Sequence, residues 1–220
     1  MRFLCLHGMG ENGRVFEAQT AAIRHRLGPD HTYEWLDGSV PTDMAPGLET
    51  VAMPSDEFLM YVDDSQESRV RLLAHLQEFV AAEGPFDGLF AFSHGASCGA
   101  TLLLHELQKN PQAAPFRCAI FFCGGPPEDP KMLLEGDRRV VDAATDGEVL
   151  DLPTAHIWGR NDHRYAFGPQ LSSLCSSANR EVFVHDGGHE IPGPRDPEDV
   201  RQAVQVIKRT LARATADESV

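Results

Sequence analysis

Six short apolar runs, separated by stretches with helical spacing, constrain the fold of this chain more than any other feature. Helical patterns occupy residues 12–27, 66–82 and 96–108, and a last one starts near Asp196-Pro197, a capping residue followed by proline. Apolar strands that alternate with helices are typical of a parallel sheet with helices on both faces. We therefore predict a compact α/β fold with about six mostly parallel strands and helices on both faces. The strand-like runs are 2–6, 32–36, 86–92, 118–123, 155–158 and 181–184.

The pattern predicts a single domain over residues 1–215, because no composition shift or internal repeat divides the chain. Two irregular stretches, at about 38–62 and 124–150, are long for plain connections, and such loops are often lids or binding loops. Residues 216–220 are expected to be a frayed terminus.

The charge and cysteine content limit the partners and the compartment. Net charge is −14, and residues 27–68 hold ten acids with no Lys or Arg. A field of that sign repels phosphate backbones, so nucleic acid is not an expected partner.

No apolar run approaches the ~18 residues of a membrane span, and MRFLCLHG is typical of a strand instead of a signal peptide. Five cysteines without a CxxC pair indicate small buried side chains in a reducing, cytoplasmic setting.

Residues 89–103, LFAFSHGASCGATLL, contain two overlapping candidates for a nucleophile motif. Ser97 completes a literal G-x-S-x-G, but it would lie about one turn inside a helix. Ser93 directly follows the apolar run 86–92, and Gly95 opens the helix after it. A hydrolase nucleophile needs a sharp turn between a strand and a helix, so the sequence favours Ser93. The first small position of its motif is Ala91 instead of glycine.

A serine hydroxyl needs a general base, and that base needs an orienting carboxylate. His189 is the favoured base, because its turn follows the last strand and contains Gly187 and Gly188. Asp162 is the favoured acid, since it lies just past the carboxyl end of the fifth strand, where catalytic groups gather in α/β sheets. An Asx turn or helix cap is the bland alternative for Asp162. The less favoured candidates are His94, His105, His156, His185, Asp151 and Asp186.

The oxyanion of an acyl-transfer intermediate needs backbone N–H donors. The residue after the nucleophile, His94, is expected to supply one. The loop His7-Gly8-Met9-Gly10 follows the first strand, and Met9 is the expected second donor because its flanking glycines let the chain aim that amide. The alternative is that this loop is merely a tight turn.

The blocks LHGMGENGRVF, AFSHGA, GRND and GGHEIP, in that order, resemble the family serine hydrolases (FSH family) of the α/β-hydrolase superfamily. The resemblance covers nearly the whole chain and implies the compact α/β-hydrolase fold. It implies that Ser93 is the nucleophile, Asp162 the acid and His189 the base, with the oxyanion loop at Gly8-Met9.

The resemblance implies hydrolysis of esters or thioesters through an acyl-enzyme, without a metal or cofactor. It also implies a possible role in fungal polyketide pathways, where relatives release or trim acyl products. The same acyl-enzyme could instead pass its acyl group to an alcohol or amine, or cyclise it. A noncatalytic binding protein of this fold is a further alternative, as is a metal hydrolase built on His185, Asp186, His189 and Asp162 or His163.

Substrate and partner assignments rest on weaker patterns. Phe58, Met60 and Tyr61, in the first irregular stretch, are candidates for the acyl pocket, although ordinary packing under the loop explains them equally well. An acyl carrier protein is a conceivable partner. Carrier proteins are acidic, as this chain is, so docking would need a local basic patch. The basic residues in and near the last helix are candidates for that patch, and the alternative is that they are simply the solvent-exposed face of the helix. Those residues are Arg195, Arg201, Lys208, Arg209 and Arg213. The sequence does not specify the oligomeric state.

Overall fold

The computed structural model describes residues 1–110 and 115–216. Eight strands and seven helices occur in those residues. The strands are β1 (Arg2–Leu6), β2 (Thr32–Leu36), β3 (Val40–Pro41), β4 (Leu59–Met60), β5 (Gly88–Phe92), β6 (Cys118–Phe122), β7 (Thr154–Gly159) and β8 (Arg180–His185). The helices are α1 (Gly13–Leu27), α2 (Gln66–Glu83), α3 (Ser93–Lys109), α4 (Pro130–Leu134), α5 (Ala143–Asp146), α6 (Phe167–Leu174) and α7 (Pro197–Ala216).

Six of the strands form one parallel sheet in the order β2-β1-β5-β6-β7-β8. This confirms the prediction of a six-stranded parallel α/β fold, and all six strands lie where the apolar runs indicated. Because the strands are parallel, the residues that follow β1, β5, β7 and β8 meet along one edge of the sheet.

Alternate residues of each strand enter two separate cores, as a buried parallel sheet requires. Leu4, Leu89 and Phe121 pack against α2, α3 and α6 on one face. Phe3, Phe90 and Ile120 pack against α1 and α7 on the other. The apolar stripe of α7 lies on the sheet as its spacing predicts, and it consists of Val200, Ala203, Val204, Ile207 and Leu211.

The two stretches predicted to be irregular contain short elements. β3 and β4 pair antiparallel within residues 38–62, and α4 and α5 lie within residues 124–150. Elements of two to five residues are too short to produce a recognisable period, which is why the pattern missed them. The β3–β4 pair also contacts the loop after β1, because Gly10 N–H donates to the carbonyl of Leu59 at 2.9 Å.

The ends of two helices correspond to sequence signals. α3 starts at Ser93 itself, three residues earlier than its apolar pattern indicated, and it ends just before Asn110. α7 begins at Pro197 and ends at Ala216. Ala216, expected to belong to a frayed terminus of residues 216–220, is thus the last residue of a helix, and residues 217–220 lie outside the described residues.

Two further observations bear on compartment and location. All five cysteines are buried and free. Within residues 1–110 and 115–216, no helix combines the length and apolarity needed to cross a membrane.

Candidate active site

Ser93 stands at a sharp junction between β5 and α3. No loop residue separates the two elements, and Ser93 has a φ of 51°, a left-handed conformation that costs energy for a non-glycine residue. Such strained residues cluster at functional sites. Gly95 makes the junction possible, because a Cβ at that position would lie 2.4 Å from the carbonyl oxygens of both Leu6 and His7. Ala91 is accommodated with its methyl group fully buried in the core.

A continuous chain of hydrogen bonds joins Ser93, His189 and Asp162. Ser93 Oγ lies 2.7 Å from His189 Nε2, and His189 Nδ1 lies 2.7 Å from Asp162 Oδ2. A carboxylate only accepts hydrogen bonds, so the proton is on Nδ1, and Nε2 is free to accept from the serine hydroxyl. The structure thus brings together the three residues that the sequence singled out.

Backbone contacts between two loops hold His189 over the end of β7. Asn161 N–H donates to the carbonyl of Gly187 at 3.0 Å, and Arg160 N–H donates to that of His185 at 2.8 Å. Gly159 permits this approach, since a Cβ there would lie 2.2 Å from the carbonyl oxygens of Gly187 and Gly188. Asp162 is buried, and its second oxygen, Oδ1, accepts from Arg164 N–H at 2.6 Å.

The less favoured histidines and aspartates have other surroundings. His185 is buried beside the strand end and accepts a hydrogen bond from Gly187 N–H. His156 lies inside β7 next to Thr154 Oγ1. Asp186 is exposed and pairs with Arg160. None of these three touches Ser93 among the described residues, so the geometry favours His189 and Asp162.

The loop after β1 leaves one amide unpaired beside Ser93. Gly8 N–H donates to the carboxylate of Glu11, and Gly10 N–H donates to Leu59, whereas Met9 N–H donates no hydrogen bond within the described residues. His94 N–H belongs to the first turn of α3, where amides have no partner four residues back. Met9 and His94 both line the cleft that holds Ser93. These two amides are suited to bind an oxyanion.

Three side chains fix the conformation of this loop. The Tyr61 hydroxyl accepts from His7 N–H at 2.9 Å and donates to the carbonyl of Leu36 at 2.8 Å. The His7 ring bridges the Gly8 carbonyl and Gly38 N–H. Glu11 is buried, and this burial raises its pKa to about 7 even though it accepts from Gln19 and Gly8.

The side chain of His94 is neutral near pH 7. Burial lowers its pKa to about 4, and the positive charges of Arg69 and Arg164 act in the same direction. Its Nδ1 atom is buried and has no hydrogen-bond partner in the described residues. The ring therefore presents an unpaired polar atom beside the nucleophile.

Two neighbouring cavities lie near Ser93 and share part of their lining. A cleft of about 390 Å³ holds Ser93, His189 and Met9. A second cavity of about 270 Å³ lies beyond His94 and Ser97 and is walled mainly by apolar side chains of α2 and of residues 124–150. The residues common to both are His94, Ser97, Gly125 and Phe167.

The predicted acyl-pocket residues, Phe58, Met60 and Tyr61, line neither of these two cavities. Tyr61 is buried, and its hydroxyl is hydrogen-bonded to the backbone of His7, just after β1, and of Leu36, at the end of β2. The sequence signal that points to the cavity wall is instead the helical spacing of His94, Ser97, Cys98 and Thr101 on one face of α3.

One group of side chains of the types that bind metals includes Asp162 and His189. Possible ligand atoms of Cys123, Asp162 and His189 lie within 4.8 Å of one another. Both ring nitrogens of His189 are already hydrogen-bonded, and burial raises the pKa of the Cys123 thiol well above its usual value. This donor set is poorly suited to a metal, which needs a free imidazole nitrogen and a thiolate.

Known proteins are similar to this chain over most of its length. A family model described as "Serine hydrolase (FSH1)" matches residues 1–199. "Esterase FPY3" of Fusarium mangiferae is 39% identical to this chain over 97% of it and 98% of the relative. "Hydrolase phiM" of a fungal species is 31% identical over 87% of this chain and 86% of the relative.

Solved structures share the fold at lower identity. A carboxylesterase from Mesorhizobium loti has a TM-score of 0.59 and 22% identity, covering 94% of this chain and 88% of its own. A Bacillus cereus carboxylesterase has a TM-score of 0.55 and 16% identity, covering 93% of this chain and 87% of its own. Both support the α/β-hydrolase fold.

Asp162→Asn tests the orienting carboxylate. An amide at this position no longer favours the proton on His189 Nδ1, so Nε2 loses its role as acceptor. We expect kcat for ester hydrolysis to fall roughly 10³- to 10⁴-fold with little change in the unfolding midpoint. Asp186→Asn, at an exposed aspartate that does not touch His189, is the matched control. An equal loss in both variants would contradict the assignment.

Glu11→Gln tests the buried carboxyl beneath the oxyanion loop. Its pKa is raised from 4.5 to about 7, so the folded state binds this proton more tightly than the unfolded state. The contribution of Glu11 to the free energy of unfolding of the wild type should therefore decrease as pH rises from about 4.5 to 7, by on the order of 3 kcal/mol at most. The Gln variant should lack that loss when unfolding is measured at several pH values. Identical pH slopes would sink this prediction, and Glu78→Gln, at an exposed site, is the control.

Proposed function

This chain belongs to the serine hydrolase (FSH1) family, and from that premise we propose that it cleaves carboxylic esters or thioesters through an acyl-enzyme on Ser93. The observation that carries the proposal is the unbroken hydrogen-bond chain from Asp162 through His189 to Ser93. Membership of this family makes the chain a serine hydrolase, whereas the roles of individual residues are part of the proposal. The names "Esterase FPY3" and "carboxylesterase" among similar proteins support the ester as substrate.

In the proposed acylation step, Ser93 Oγ attacks the carbonyl carbon while His189 Nε2 takes the hydroxyl proton. Asp162 stabilises the resulting imidazolium through its bond to Nδ1. The carbonyl oxygen becomes an oxyanion held by the amides of Met9 and His94. The carbon–oxygen or carbon–sulfur bond then breaks, and the alcohol or thiol leaves with the proton from Nε2.

Deacylation uses the same groups with water as the nucleophile. His189 takes a proton from the water, which attacks the Ser93 acyl ester, and the carboxylic acid leaves when Ser93 Oγ regains the proton. The neutral side chain of His94 does not compete for these protons near pH 7, because its pKa is about 4.

The setting of the reaction is part of the same proposal. Five free, buried cysteines support a reducing compartment, and we assign the enzyme to the cytoplasm. Release of an acyl or polyketide product from a carrier protein remains the finer role that the family resemblance suggests. The basic residues of α7 give it little support, because Arg201 pairs with Glu198 and both Arg209 and Arg213 pair with Glu181.

A fluorophosphonate probe tests the nucleophile by intact-protein mass spectrometry. Ser93→Ala and Ser97→Ala make the same change one helical turn apart, at two residues that both line the cleft. Wild type and Ser97→Ala should each gain one adduct, whereas Ser93→Ala should gain none, because Ser93 Oγ is hydrogen-bonded to the His189 imidazole and Ser97 Oγ is hydrogen-bonded to no imidazole in the part of the chain that the structure describes. A labelled Ser93→Ala protein would contradict the assignment, and an unlabelled wild type would remove the main support for hydrolase activity.

A further inference from the structure

The cavity beyond Ser97 follows one face of α3. His94, Ser97, Cys98 and Thr101 line it at positions i, i+3, i+4 and i+7, so it extends roughly 10 Å along the helix. Opposite them stand Leu72, Leu73 and Leu76 of α2, together with Leu133 and Val140. The volume of about 270 Å³ is close to the lower limit for small-ligand sites, roughly 300 Å³.

The position of His189 indicates which part of the substrate would enter this cavity. His189 lines the cleft but not the cavity beyond Ser97. A leaving group takes its proton from His189 Nε2 and therefore has to lie on the cleft side. The acyl chain, which extends from the other side of the carbonyl carbon, is the part that can pass His94 and Ser97.

The far end of the cavity is polar and carries charge. Arg69 Nε donates to Glu128 Oε1 at 3.1 Å, and Arg138 Nε donates to the same oxygen at 2.5 Å. Glu128 N–H donates to Thr101 Oγ1, which places this cluster about two helical turns from Ser93. All three charged side chains line the cavity.

Two arginines share one carboxylate in this cluster, so one positive charge is not balanced within it. Arg69 is buried. Its Nη1 donates to the carbonyls of Asp63 and Ser65, but its Nη2 meets no acceptor among the residues that the structure describes. The neighbouring Arg139 differs, because Asp129 and Asp146 both pair with it outside the cavity.

We propose that this cavity binds acyl chains that end in an oxygen anion, a carboxylate being the simplest case, and that Arg69 and Arg138 bind that end. The proposal rests on the proposed acyl-enzyme chemistry of Ser93. Arg69 Nη2 keeps donors that no acceptor in the described residues uses, and a plain alkyl end offers it none. A carboxylate supplies charge-assisted hydrogen bonds to both arginines, while the leucines of α2 cover the methylene chain.

A matched pair of substrates tests the proposal. An extended chain advances roughly 3.5 Å for every three bonds, so acyl chains of about eight carbons span the cavity. The p-nitrophenyl monoester of suberic acid and p-nitrophenyl octanoate have the same carbon count and differ at the far end. The measured quantity is the ratio of kcat/KM for the carboxylate-ended substrate to that for the methyl-ended one.

Three substitutions change the cluster in opposite directions. Arg138→Gln and Arg69→Gln each remove a donor and a positive charge, so the ratio should fall roughly tenfold or more. Glu128→Gln removes the competing carboxylate, so the ratio should rise. Arg139→Gln is the matched control, since it alters an adjacent arginine outside the cavity, and its ratio should stay within about twofold of wild type. Arg138 is partly exposed, so its variant carries the test if Arg69→Gln does not fold.

Fluorophosphonate labelling of each protein separates the two possible failures. An unlabelled wild type would overturn the proposed function itself. A labelled wild type whose ratio is unchanged by both arginine substitutions would overturn only the assignment of the cavity. An equal fall in Arg139→Gln would also overturn it, because the effect would then come from general damage to residues 124–150.

Discussion

The close approach of α3 to the end of β1 is the constraint on which the site depends. Gly95 lies against the carbonyls of Leu6 and His7, where no larger residue fits, and its N–H donates to His7 O at 3.1 Å. This contact lets α3 begin directly after β5 and keeps Ser93 in its left-handed conformation. It also brings the first amides of α3 beside the loop that contains Met9. The proposed nucleophile and the proposed oxyanion donors are thus positioned by one backbone contact.

Buried polar groups keep this edge of the sheet rigid. Asp162 orients His189 from one side, while Tyr61, His7 and Glu11 hold the loop after β1 from the other. Each is hydrogen-bonded within a low-dielectric interior, where an unmade bond is costly. The strain at Ser93 persists because these surrounding contacts over-determine its position. Pre-organisation of this kind reduces the reorganisation needed when charge develops on the substrate.

The sequence predicted the parallel sheet and singled out Ser93, Asp162 and His189, because strand ends and turns that contain glycine have recognisable local patterns. It did not predict the cavity beyond Ser97. Phe58, Met60 and Tyr61 lie in the first irregular stretch, but the position of Tyr61 depends on the backbone of two distant residues, His7 just after β1 and Leu36 at the end of β2. The cavity itself arises where α2, α3 and residues 124–150 converge, and such long-range packing has no local pattern. Ser97, rejected as the nucleophile, lies on its wall.

The proposed mechanism requires that the acyl group becomes attached to Ser93. Rapid acid quenching of the wild-type enzyme during p-nitrophenyl ester turnover, followed by peptide mapping, measures this directly. We expect an added acyl mass on the peptide that contains residues 89–103, with fragmentation assigning it to Ser93. An acyl group on Ser97 or Cys123, or product formation with no acylated peptide at any quench time, would contradict it.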